Sequence, residues 1–266
     1  MKSVLTIAGS DSSGGAGIQA DIKTMTVHGV FAQSAITALT AQNTLGVYGV
    51  MEVDPEFLKQ QIDCVFEDIR PDAVKIGMVS SAELVDVIAE RLQHYEAINV
   101  VVDPVMVATS GAQLSSSDAA QAMIEKLVPL ADIVTPNIPE AEELAGMKIA
   151  NVKDMSHAAR LIKQRGCRSV LIKGGHLENN ATDVFLTEHD RLVELTQRRV
   201  KTLNTHGTGC TLSSAIASNL ALGNDLQAAV QKAKQYITGA LKHDIGLGKG
   251  TGPLNHMWDI TPEELF

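Results

Sequence analysis

The densest group of residues able to do chemistry is Lys201-Thr-Leu-Asn-Thr-His-Gly-Thr-Gly-Cys210. Its pattern predicts a strand, a glycine turn and the first turn of a small-residue helix running from Thr208 to about Leu222. The first N–H groups of a helix lack internal partners and lie at the positive end of its dipole, which suits an anion. Gly207 and Gly209 keep side chains away, so a phosphate oxygen can reach the backbone. Cys210 points into the same electropositive spot, where a thiol pKa is expected to fall below its free value of about 8.5. The alternative is purely structural: glycines that end a strand, Thr208 as helix cap and Cys210 as a small buried residue. Both readings stand on these ten residues.

Four further positions carry a functional and a structural reading side by side. Asp103 follows the apolar run Asn99–Val102 and so places a carboxylate at the carboxyl end of a strand, the edge where α/β sheets bind ligands. Glu140 lies three residues after Asn137, a spacing that serves a water-bridged cation or a helix capping box. Lys173 ends a strand before Gly174 and Gly175, facing a nucleotide phosphate or simply solvent. Gln42, in the polar break Ala41-Gln-Asn-Thr44, offers one donor and one acceptor to a ligand or to water.

The elements that must position these residues alternate from end to end. Ser3–Ala8 reads as a strand, Gly9-Ser-Asp-Ser-Ser-Gly-Gly-Ala-Gly17 as a loop, and the next residues to about His28 as a helix. Gly15-Ala-Gly17-Ile-Gln-Ala20 fits a dinucleotide fingerprint, but no Asp or Glu lies between Asp21 and Glu52 to hold a ribose, which argues against NAD. The loop also lacks the Lys-Ser/Thr ending of a Walker A motif. Strands are expected over 31–40, 47–53, 73–79, 99–102, 132–135, 169–173, 182–186 and 192–200, with helices over 55–69, 81–95, 115–127, from 136–140 onward, 153–165 and 225–243. This order predicts an α/β fold: one mainly parallel sheet with helices on both faces, in a single domain spanning residues 1–266.

Composition narrows the partners. The net charge of −9 repels phosphate backbones, and 3% aromatic residues with a single Trp258 supply few stacking platforms, so nucleic acid is not expected. Any phosphorylated ligand must then be held by helix ends, a few lysines or a divalent cation. Cys64, Cys167 and Cys210 are odd in number with no C-x-x-C pair, which fits a reducing cytoplasm. No apolar run reaches the roughly 20 residues of a membrane span.

Taken in order, the loop Gly9–Gly17, Ala41-Gln-Asn-Thr44, Asp103-Pro-Val-Met106, Asn137-x-x-Glu140, Lys173-Gly-Gly175 and Asn204-Thr-His-Gly-Thr-Gly-Cys210 resemble the hydroxymethylpyrimidine/phosphomethylpyrimidine kinases of the ribokinase-like superfamily. The similarity spans essentially the whole chain, including the late Gly-x-Gly-Pro and His256. It implies a ribokinase-like fold, usually a homodimer, that uses ATP and Mg2+ to phosphorylate an aminopyrimidine alcohol twice for thiamine synthesis. By the same resemblance Gly207 and Gly209 line an anion hole, and Cys210 takes the place of the superfamily's Asp base. Gln42 reads the pyrimidine beside Gly9, Met78 and Val105, and Asp103 and Glu140 lie near the metal. Lys173, Thr208 and Asn137 fall on the nucleotide side. Pyridoxal kinase, a neighbouring branch with the same Cys-ending motif, is the competing expectation, and a non-enzymatic nucleotide sensor is a third.

Overall fold

Apolar runs without alternation specify strands covered on both faces, and β1 (Ser3–Asp11) is buried along almost all its length. It is parallel to both β2 (Phe31–Asn43) and β4 (Ala73–Ile76). The computed structural model describes residues 1–107, 111, 114, 116–175 and 180–260. With β3 (Gly46–Glu52), β5 (Val100–Val102), β6 (Ile133–Val134), β7 (Val170–Ile172), β8 (Asn180–Leu186) and β9 (Leu192–Arg198), the nine-stranded sheet runs β3-β2-β1-β4-β5-β6-β7-β8-β9. The six strands from β2 to β7 are parallel, and antiparallel pairing adds β3 at one edge and β8 and β9 at the other.

Helices cover both faces. On one, α2 (Pro55–Asp68), α3 (Ala82–His94), α4 (Ser117–Ala122), α5 (Ile138–Ala145) and α6 (Val152–Lys163) bury Leu58, Ile88, Leu144 and Ile162 in one core. On the other, α1 (Gly17–Val27), α7 (Thr208–Ala221) and α8 (Leu226–Lys242) bury Met25, Ile216, Val230 and Ile237 in a second. α7 packs against both α1 and α8 as well as strands, so every residue from Thr211 to Ala221 is buried. Its small side chains make that possible.

Two expectations change. Residues Ala41–Thr44 are not a break: β2 continues to Asn43, with a bulge between Ala41 and Gln42 that absorbs the polar stretch. Lys201–His206 is not a strand, because the β8–β9 hairpin ends the sheet and His206 makes only an isolated bridge to Pro253. Ser115, the expected start of a helix, lies outside the described residues, and α4 begins at Ser117.

Because six strands run parallel, their carboxyl ends share one edge. Asp11, Gln42, Met78, Asp103, Asn137 and Lys173 all lie in or just beyond those ends, and α7 starts beside them.

Candidate active site

The first turn of α7 faces a buried cluster of charges. Asp103, fully buried just beyond β5, accepts hydrogen bonds from Lys173 Nζ at 2.7 Å, Thr135 Oγ1 at 3.1 Å and Ser213 Oγ at 3.3 Å. Lys173 Nζ also lies 3.9 Å from Glu140 Oε2. A side chain on Gly209 would sit 3.2 Å from Asp103 Oδ2 and 3.3 Å from Lys173 Nζ, so glycine lets the turn close on this pair. Gly207 caps α7 with φ of 82°, and a side chain there would overlap the Gly15 carbonyl. No side chain caps the helix, and the Thr208 hydroxyl donates back to Thr205 O at 2.8 Å. The amino end of α7 is thereby open to an anion.

Glu140 and Asn137 form the capping box that their spacing allowed: Asn137 N–H donates to Glu140 Oε2 at 2.7 Å, and Glu140 N–H to Asn137 Oδ1 at 2.9 Å. Burial pushes the Glu140 carboxyl up to about 7, with Asp103 adding to the shift and Lys173 opposing it. Among the described residues no three His, Cys, Asp or Glu side chains gather as a metal cage. Two carboxylates nevertheless fit Mg2+, which keeps waters and phosphate oxygens for the rest of its shell.

Cys210 differs from expectation. Burial pushes its thiol up to about 11, Lys75 opposes the shift, and Asp21 and Asp103 reinforce it. Part of the residue still reaches the surface, and the Gly17 backbone also opposes the rise. Loss of water outweighs the lysine, so without ligand Cys210 is a neutral thiol.

The charge beneath it was not foreseen. Lys75 and Asp21 are fully buried and paired at 2.8 and 3.0 Å. Asp21 also accepts from Thr6 Oγ1 and Ser214 Oγ, both at 2.6 Å. A lysine inside the apolar strand Ala73–Ile76, and an acid on the buried face of α1 between Ile18 and Met25, are the signals that mark this pair in the sequence.

A second group of residues lies at or beside the glycine-rich loop and includes the carboxylate of Asp11. A side chain on Gly9 would meet Met78 Sδ at 3.0 Å, and buried Met78 accepts through its carbonyl from Thr37 Oγ1 at 2.8 Å. Half-buried Val105 donates its N–H to Asp103 O at 2.8 Å, which ties this side to the charged cluster. Gln42 approaches His206, and His206 Nε2 lies 2.8 Å from Asp11 Oδ2. Asp11 and His206 were also missed, since 195 residues separate them. Against the cost of burial, His206, Ser13 and Ala16 hold the Asp11 carboxyl well below the usual carboxylate range. A cleft of about 440 Å³ between the β8–β9 turn and the start of α8 touches none of these residues.

The family profile described as phosphomethylpyrimidine kinase matches residues 11–255. The chain belongs to the phosphomethylpyrimidine kinase family. It is 45% identical over 260 residues to a hydroxymethylpyrimidine/phosphomethylpyrimidine kinase of Haemophilus influenzae, covering 96% of this chain and 97% of that one. It is 51% identical over 255 residues to the thiamine biosynthesis bifunctional protein ThiED of Geobacter sulfurreducens, covering 96% of this chain but only 52% of that protein. The chain thus spans about half the length of that bifunctional relative. Among solved structures, phosphomethylpyrimidine kinase from Clostridium difficile 630 superposes with a TM-score of 0.82 at 50% identity, covering 91% of this chain and 100% of that one. An ADP complex of Bacillus subtilis pyridoxal kinase gives 0.89 at 37% identity, covering 97% and 98%. This kinase family and its ribokinase-like fold agree with the resemblance drawn from the motifs.

Proposed function

We propose that this chain transfers the terminal phosphoryl group of ATP to the hydroxyl of 4-amino-5-hydroxymethyl-2-methylpyrimidine, and then to the resulting monophosphate, in thiamine biosynthesis. The observation that carries the reading is the uncapped amino end of α7, whose first turn closes on the Asp103–Lys173–Glu140 cluster and whose Gly207 meets the glycine-rich loop at Gly15. Phosphoryl transfer needs alignment and charge stabilisation more than covalent help, and this arrangement provides both.

In this reading Gln42 pairs with the pyrimidine edge, while Gly9, Met78 and Val105 shape the pocket around the ring. The backbone N–H groups after Gly207 stabilise charge on the transferred group, and Lys173 with Thr208 and Asn137 faces the nucleotide. Asp103 and Glu140 hold Mg2+, which supplies neutralising charge to the phosphates. Cys210 sits where the substrate hydroxyl must lose its proton. A neutral thiol in the free protein means that it accepts that proton only after the site is filled, or else orients the alcohol.

A homodimer is part of the proposal, supported by the exposed apolar side chains of Tyr48, Val50 and Met51 on edge strand β3. Among the described residues no helix is long and apolar enough to cross a membrane, and the cytoplasm suits the three free cysteines. The likeness to pyridoxal kinase keeps pyridoxal as the second reading. Phosphorus NMR of a reaction with ATP and the pyrimidine alcohol tests the first: a monophosphate followed by a diphosphate is expected. ATP consumption without a phosphorylated pyrimidine overturns it.

A further inference from the structure

His206 has no role in phosphoryl transfer as described, yet it is buried at the meeting point of three segments. Its Nε2 lies 2.8 Å from Asp11 Oδ2 and 3.4 Å from the Gln42 side-chain nitrogen. Asp11 also accepts from Ser13 N–H at 2.8 Å, Gly15 N–H at 3.1 Å and Ala16 N–H at 2.9 Å, so it organises the whole glycine-rich loop. A side chain on Gly15 would overlap the His206 ring, which shows how closely the loop is folded over it. Ser12 Oγ in turn donates to Gln42 O at 2.8 Å and accepts from Gln42 N–H at 2.9 Å. Loop, imidazole and glutamine therefore form one closed ring of contacts.

The ring fixes more than position. Asp11 is ionised and has only lone pairs to offer, so the His206 nitrogen beside it carries the proton and donates. A ring nitrogen with its proton cannot accept from the Gln42 NH2 group. On its other side Gln42 Oε1 lies 3.2 Å from Thr40 Oγ1, whose single proton is also within reach of Ser10 O at 2.9 Å. With the amide nitrogen towards His206, an N–H faces an N–H, and Thr40 must leave either the carbonyl or Ser10 without its proton. A half-turn of the amide resolves both: its oxygen faces the His206 N–H, whose one proton goes mainly to Asp11 and is shared with the amide oxygen, its nitrogen donates to Thr40, and Thr40 donates to Ser10.

We infer that His206 is a positioning residue for substrate choice: clamped by Asp11, it sets which end of the Gln42 amide is donor and which is acceptor. One amide hydrogen and one lone pair remain for a ligand, in a fixed order. An aminopyrimidine edge, with a ring nitrogen beside an exocyclic amine, is the complementary class. The inference rests on Gln42 reading the pyrimidine, as proposed above.

The test compares dissociation constants, measured by calorimetry without nucleotide, for the pyrimidine alcohol and for its analogue lacking the exocyclic amine. His206→Phe keeps the shape and removes the donor. It should cut the preference for the amine-bearing ring by roughly tenfold to a hundredfold, the range expected for one misdirected buried hydrogen bond. His206→Gln, which keeps an N–H donor, should restore most of the preference. In the Gln42→Ala background His206→Phe should change the preference no further. Equal weakening of both ligands by His206→Phe, or an additive effect in the double variant, contradicts the inference and marks a structural role, as does a His206→Phe chain that does not fold. If Gln42→Ala alone leaves the preference intact, the reading of Gln42 itself has failed.

Discussion

At the scale of single residues, the proposed function separates groups at the reacting atoms from groups that hold them. Cys210→Ala should lower kcat far more than it raises the pyrimidine KM, because the proposed reading puts the thiol at the reacting hydroxyl rather than at the ring. Near-normal turnover in that variant removes the thiol from the chemical step. Glu140 makes a different prediction through its raised carboxyl. Its pKa is about 7 in the fold against 4.5 in the unfolded chain, so the fold favours the protonated form. That contribution is fully present below about pH 4.5 and is lost as pH rises through about 7. Glu140→Gln should therefore flatten the fall in melting temperature between pH 5 and 7.5, relative to wild type. An unchanged pH profile would mean that the carboxyl titrates normally. The spacing of Asn137 and Glu140 left capping and cation binding open, and the structure realises the capping bonds while bringing Glu140 near Lys173 and Asp103.

At the scale of elements, α1, β4 and α7 are joined by a buried ion pair. Lys75→Met leaves Asp21 charged and unpaired in the core, a change that typically costs about 3–5 kcal/mol. The double variant Lys75→Met/Asp21→Leu removes both charges and should recover most of that loss in denaturant unfolding. If the double variant is no more stable than the single, the pair does not act as a unit. These elements also mark what the sequence made legible. Residues at strand ends stood out because a polar group follows an apolar run, and Asp103 and Lys173 lie where that pattern puts them. Lys75 and Asp21 are 54 positions apart, and only folding shows that each answers the other. The thiol of Cys210 departs from expectation for a related reason: a helix end is visible in a sequence, whereas the desolvation that raises the thiol depends on what packs around the sulfur. Gln42 looks like part of a polar break in the sequence because polarity signals a turn, but a bulge keeps it in β2.

At the scale of the molecule, the run of β-then-helix segments gave the right class of sheet, because parallel strands need crossovers and the helices supply them. What it did not give was the end of the sheet. The stretch before His206 looked like a strand, yet the β8–β9 hairpin already occupies that edge. The opposite edge, β3, carries exposed Tyr48, Val50 and Met51, an apolar edge of the kind natural sheets cover. Light scattering should find two copies per particle at micromolar concentration, and Tyr48→Lys/Met51→Lys should give a folded single copy. A wild-type chain that is a single copy under those conditions contradicts the dimer. The central claim is that the site at the carboxyl ends of the parallel strands phosphorylates an aminopyrimidine alcohol and its monophosphate in preference to pyridoxal. It is tested most directly by kcat/KM with ATP for these three acceptors on the wild-type protein. Both pyrimidines should be turned over and should exceed pyridoxal clearly; pyridoxal as the best acceptor, or no transfer to either pyrimidine, would contradict the account.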